Sequence, residues 1–216
     1  MQDFKTILQD GQVEEEIKKS RFICSIKRVY TEEEARSFIT AIKKEHYKAT
    51  HNCSAFILGE KSQIKRSSDD GEPSGTAGVP MLAVLENHDL TNVVVVVTRY
   101  FGGIKLGAGG LIRAYSGAVA HGLRELGTVL VTEQEGMSIT LSYAQYQELA
   151  SWLASHEMEA FETEFTTQVT TMIYLDKEQV ADAMASLTDY YHGKVELKGC
   201  GSRVIERPLL KENLSE

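Results

Sequence analysis

Apolar and polar residues change rhythm several times along the chain, and each rhythm predicts an element. RFICSIKRVY (21–30) alternates with period two and reads as a strand with Phe22, Cys24 and Ile26 on one face. Thr31 to Glu34 follows as a capping box, in which Thr31 covers an orphan helix amide and Glu34 reaches back. Ala35, Phe38, Ile39 and Ile42 then recur at helical spacing. NCSAFILG (52–59) and SQIKRS (62–67) read as a hairpin or two neighbouring strands. VPMLAVLEN (79–87) reads as a short helix with Pro80 in its first turn. NVVVVVTRYF (92–101) is apolar and β-branched at nearly every position, the pattern of a strand buried on both faces. Leu111, Ile112, Tyr115, Val119, Leu123 and Leu126 form a helical stripe, and TVLVTEQ (128–134) returns to a strand.

Beyond that point the rhythm is more regular. MSITLSY (137–143) is a strand, and Ser142 with Gln145 forms a capping box ahead of Tyr146, Leu149 and Leu153. MEAFETEF (158–165) and QVTTMIYL (168–175) alternate as two strands. Asp176 and Gln179 cap a helix carrying Val180, Met184, Leu187 and Tyr191, and KVELKG (194–199) is a last strand, bulged around Gly199 and Gly201. The order β-α-β-β-α-β is the ferredoxin-like arrangement. The expectation is an α+β protein of two domains, 1–134 and 135–216, divided between Glu133 and Gly136.

Composition narrows the classes. With 42% hydrophobic residues the chain can build a core, and no apolar run approaches the roughly 20 residues of a membrane span. The opening MQDFKTILQDGQVEEEIKKS lacks the apolar segment of a secretory signal. Cys24, Cys53 and Cys200 form no CxxC pair, so a reducing cytoplasm is expected, with neither disulfide framework nor zinc ribbon. The net charge of −8 is unevenly spread. Residues 1–130 hold 17 Lys and Arg against 16 Asp and Glu, whereas residues 131–216 hold 6 against 15. If nucleic acid binds, it is therefore expected on the first part, because the acidic second part is a poor phosphate binder.

Four groups of residues carry candidate chemistry. TRYFGGIKLGAGGLIR (98–113) puts five glycines and three cations between a buried strand and a helix. Unpaired amides at a helix start carry partial positive charge, and glycines let backbone approach an anion, so this arrangement can hold phosphate or carboxylate. It lacks the Lys of a Walker loop, because Ala108 follows Gly107, and Ile112 stands where a dinucleotide loop needs its last glycine. The bland alternative is a glycine turn that packs the helix on the sheet. DDGEPSGTAG (69–78) offers Asp69, Asp70 and Glu72 as cation ligands or as acid and base, with Ser74 and Thr76 as hydrogen-bond donors. As turn chemistry, which spacing favours, Asp70 would cap a local amide. His46, His51 and Cys53 carry a weaker zinc or Cys–His reading against that of a strand-end histidine and a buried thiol. Tyr100 and Phe101 straddle the strand end, where one exposed ring would stack a base; Tyr115 belongs to the apolar face of the helix.

SRFICSI, HNCSAFILG, DDGEPSGTAGVPML and VVVTRYFGGIKLGAGGLIRAYS together resemble the signature of the IMPACT family over roughly residues 15–125. The C-terminal part is similar to the small ferredoxin-like domain of bacterial members. The resemblance implies an N-terminal domain like elongation factor G domain IV and a ribosomal-protein domain, and a second domain like elongation factor G domains III and V. Eukaryotic members regulate translation by binding the ribosome-associated activator of the amino-acid-starvation kinase. Those members carry a different N-terminal domain, which is not expected here, so kinase control is not carried over. What carries over is a non-enzymatic, cytoplasmic binding role near translation, with RNA, the ribosome or a translation-associated protein as partner and no cofactor, metal or membrane. The matching residues for a binding face are Asp69, Asp70, Gly71, Glu72, Ser74, Gly75 and Thr76, with Arg99, Tyr100, Gly102, Gly103, Lys105, Gly107, Gly109, Gly110 and Arg113. Two alternatives stay open. One is an enzyme acting on a phosphorylated small molecule or nucleotide, and the other is a protein-interaction adaptor without nucleic-acid contact.

Overall fold

The computed structural model describes residues 2–209. They form an α+β structure of two compact units, residues 2–131 with 206–209, and residues 132–205.

In the first unit, β2 (Gly11–Ile17), β3 (Ser20–Arg28), β4 (His51–Leu58), β5 (Ile64–Ser68) and β6 (Val93–Tyr100) make an antiparallel sheet in the order β2-β3-β6-β4-β5. β6 is central, which explains its valines. Val93, Val95 and Val97 face α2 (Gly78–Asn87) and α3 (Gly107–Leu126), while Val94 faces α1 (Glu32–Glu45). Phe22, Cys24 and Ile26 share the α3 side, and β4 and β5 pair as neighbours. β1 (Phe4–Ile7) lies antiparallel to residues 128–131 of β7 (Thr128–Leu141).

Three sequence expectations change here. Thr31 caps α1 by accepting from the Glu34 amide at 3.1 Å, but Glu34 accepts from the amide of Tyr30, one residue before the position a capping box uses. Ile112 is 42% exposed, because the buried stripe of α3 runs through Leu111, Tyr115, Ala118 and Leu126 and leaves position 112 on the solvent side. Residues 128–134 and 137–141 are one strand, and Ser142 belongs to the following helix cap. Gly136, whose Cβ would lie 2.5 Å from the Cys200 carbonyl, is a close-approach glycine and not a turn.

In the second unit, α4 (Tyr143–Ser155), β8 (Phe161–Phe165), β9 (Val169–Asp176), α5 (Val180–Tyr190) and β10 (Glu196–Pro208) follow β7, with strand order β10-β7-β9-β8. Ser142 and Gln145 form the expected capping box. Met137, Ile139, Leu141, Trp152, Ile173 and Leu187 are among the residues of its core. β8 is shorter than its alternation suggested, starting at Phe161, and β10 continues to Pro208. Met184 is 39% exposed because the buried side of α5 is Ala183, Leu187 and Tyr191, one position away. On the sheet, the Arg203 guanidinium lies 4.4 Å from the Phe161 ring and 4.3 Å from that of Tyr174 and donates to Gln134.

Candidate functional site

The segment that joins β6 to α3 is shaped by two demands. Gly102 passes so close to the turn between β2 and β3 that a Cβ there would lie 1.8 Å from the Lys19 carbonyl oxygen. Gly107 opens α3 with a φ of 70°, which a side chain disfavours. The first turn of α3 then has no capping side chain and no acidic residue. Its amides carry the partial positive charge of a helix start, and Lys105 stands just before them, exposed. Neither Lys105 nor Arg113 has an ion-pair partner among the described residues, but Arg113 does not line the cavity described next.

That cavity, about 390 Å³ in volume, opens in front of α3. Residues Lys105 to Ala108 and Leu111 form one side, and Glu72 and Pro73 of the 69–78 loop form another. Thr50, His51, Arg99 and Phe101 close it from the sheet. The fold thus brings the acidic loop and the glycine segment to one place. Thr50, Pro73, Leu106, Ala108 and Leu111 were not singled out as binding residues from the sequence, and Phe101 was offered only as a ring to stack a base. Phe101 carried a usable signal as an aromatic residue at a strand end, and it is 47% exposed. Its ring lies 5.5 Å from the Arg99 guanidinium.

The acids of the loop do structural work. Asp69 accepts from the amides of Gly75, Ala77 and Gly78 at 2.8, 3.1 and 2.8 Å, folding the loop back onto the start of α2. Burial pushes its carboxyl up, but these three amides outweigh it and hold the carboxyl below the usual range. Asp70 accepts from Lys43 at 2.5 Å and from the Asn52 amide at 2.7 Å. Glu72 is buried, with one oxygen 2.6 Å from Arg99 Nη1 and 2.8 Å from the Tyr115 hydroxyl. The alternative that these carboxylates serve a cation or acid–base work finds each engaged by an internal partner, and the favoured turn reading is met with Asp69, not Asp70, capping the loop amides. Arg99, offered by the sequence as a cation for an anion site, is ion-paired to Glu72. Sequence reading missed this pair because its members stand 27 positions apart. Arg99 follows Val97 on the α3 face of β6, while Tyr100 turns to the other face, where His46 Nδ1 lies 3.0 Å from its hydroxyl.

The remaining candidates separate. His51 Nδ1 donates to the Asp70 carbonyl at 2.8 Å, which leaves Nε2 3.8 Å from Glu72. Cys53 donates to the Asp69 carbonyl at 3.0 Å, and burial pushes its thiol up to about 12. His46, His51 and Cys53 do not converge, and no group of three or more His, Cys, Asp or Glu is placed to hold a metal among the described residues. Ser74 is exposed, Thr76 is buried against the Pro73 carbonyl, and Gly71, Gly75, Gly103, Gly109 and Gly110 shape the two segments outside the cavity lining.

Comparison with known proteins supplies the relationship. Residues 18–123 match the Impact N-terminal domain, and residues 139–194 match a domain of unknown function (DUF1949). The IMPACT family member YvyE of Bacillus subtilis is 44% identical, covering 92% of this chain and 91% of that one. The chain belongs to the IMPACT family. The IMPACT family member YigZ of Escherichia coli is 37% identical over 86% of this chain and 92% of its own. The Saccharomyces cerevisiae Protein IMPACT homolog is 36% identical over 41% of this chain and 35% of its own. A solved structure described as "Crystal structure of an hypothetical protein" is 35% identical, with a TM-score of 0.59, covering 93% of this chain and 98% of that one. The match to the Impact N-terminal domain includes all the residues that line the cavity. Among the described residues, no helix is long and apolar enough to cross a membrane.

Proposed function

We propose that this IMPACT-family chain is a non-enzymatic, cytoplasmic binding protein of translation that contacts RNA on or near the ribosome through the face at the head of α3. The observation that carries this reading is the first turn of α3, free of any capping side chain, opening with Lys105 into a cavity shared with the 69–78 loop. Such a helix start attracts phosphate. Arg113, exposed on the same helix, extends the positive face. The link to translation comes from the family resemblance and from an inferred likeness to elongation factor G domains. The strand order β10-β7-β9-β8 supports a ferredoxin-like second domain, with the domains taken as 1–134 and 135–216.

The engagement of Asp69, Asp70 and Glu72 by internal partners weighs against catalysis by the loop acids. Sedimentation with ribosomes at low and raised salt, with and without nuclease, tests the proposal. The protein is expected in the ribosomal pellet at low salt and to leave it as salt rises, because phosphate contacts release counterions. Replacing Lys105 and Arg113 together by Ala is expected to weaken binding for all RNA sequences alike. Unchanged sedimentation of that variant refutes the proposed face, and recovery of a protein partner after nuclease treatment favours an adaptor instead.

A further inference from the structure

We infer that the cavity at the head of α3 seats one nucleotide unit, its base against Phe101 and its phosphate on the first amides of α3 beside Lys105. This rests on the binding reading above and names the ligand of the same site. The cavity has two chemically different ends. Pro73, Phe101 and Leu111 make an apolar wall, whereas Lys105 and the uncapped helix start make an electropositive one. A bare phosphate needs only the second end; a planar apolar group joined to an anion uses both.

Arg99 forms the floor between the two ends of the cavity. Its side chain is 6% exposed and borders the cavity. Its Nη1 donates to Glu72, and its Nη2 lies 3.5 Å from the Ser20 hydroxyl. Its Nε has no hydrogen-bond partner among the described residues. That nitrogen is buried behind the cavity wall, and Arg99 meets the cavity as part of its floor. The same guanidinium lies 5.5 Å from the Phe101 ring, which is half exposed and so offers a stacking surface at the mouth. Because Arg99 neutralises Glu72, to which Tyr115 donates a further hydrogen bond, the floor does not repel an anion. The volume of about 390 Å³ is at the lower end for ligand pockets and suits a single unstacked nucleotide.

The unit could come from single-stranded RNA or from a free nucleotide, and the test separates them. The full-length protein is titrated with inorganic phosphate, AMP and a short oligoadenylate while amide resonances are followed, together with Phe101→Ala and Lys105→Ala, both at exposed positions. AMP is expected to shift the amides of residues 107–110 and to bind about ten-fold more tightly than phosphate. Phe101→Ala should bring AMP down to the level of phosphate, and Lys105→Ala should weaken both. AMP binding no tighter than phosphate, or Phe101→Ala without effect, overturns the inference. Oligoadenylate binding without AMP at α3 overturns it and leaves the RNA-contacting reading intact. AMP seated at α3 with no oligoadenylate or ribosome bound supports the pocket, assigns it a free nucleotide and removes the RNA reading.

Discussion

Replacing Glu72 by Gln strands a charge inside the first unit. The Arg99 and Glu72 side chains are 6% and 3% exposed, so the guanidinium cannot turn to water when its counter-charge is removed. Breaking a buried ion pair costs ~3–5 kcal/mol. The Gln amide oxygen still accepts from Tyr115 or Arg99, which returns about 1 kcal/mol. The expected net loss is about 2–4 kcal/mol, a large part of the 5–15 kcal/mol that typically holds a domain folded. Adding Arg99→Met removes the stranded charge while Gln keeps an acceptor for the Tyr115 hydroxyl. The double variant is therefore expected to be more stable than Glu72→Gln alone, by about 1–2 kcal/mol. The single tryptophan, Trp152, belongs to the second unit, so its fluorescence does not report this region. Native-state hydrogen exchange at the β6 amides, with urea unfolding followed by far-UV circular dichroism, reads the loss directly. A loss below about 1 kcal/mol, or single-variant losses that simply add in the double variant, would refute the buried-pair argument.

Three further perturbations have expected outcomes. Gly102→Ala forces a Cβ to within 1.8 Å of the Lys19 carbonyl and should cost about 1–3 kcal/mol by thermal melting; Gly109→Ala, with nothing nearer than 4.0 Å, should stabilise α3 by about 0.5–1 kcal/mol. Equal effects of these two changes would contradict the close approach at Gly102. Because the folded Asp69 carboxyl is held below its unfolded value, its stabilisation is present above the unfolded value near pH 4 and disappears as pH falls through the folded one. Asp69→Asn should therefore flatten the fall of melting temperature below about pH 4, and an unchanged acid slope would exclude the carboxylate. Ser142→Ala removes the side chain that accepts from the Gln145 amide at 3.3 Å and should cost about 1 kcal/mol in the second unit, read by Trp152 fluorescence on urea unfolding.

The sequence by itself determined most elements from residue 21 onward and their order, because periodicity and caps are local; β1 and β2 were not read from it. The valine run of β6, the stripe at Phe22, Cys24 and Ile26, and the capping box at Ser142 all express contacts within a few residues of each other or one strand's two faces. Local rules failed where a neighbour distant in sequence intervened. Gly136 stood at the expected division between two strands, yet it lies within β7, where the Cys200 backbone passes where a side chain would be. At the candidate site, the sequence located the glycine segment before α3 and paired it with the 69–78 loop. It did not fix the charge state of either. Only the tertiary structure joins Glu72 to Arg99 and Tyr115, across 27 and 43 positions, and so turns an acid and a cation into a neutral floor. Pairing of buried charges is set by which faces meet, and that is a property of the packed sheet and helix. The same packing leaves Lys105 and the first turn of α3 as the electropositive end of the cavity.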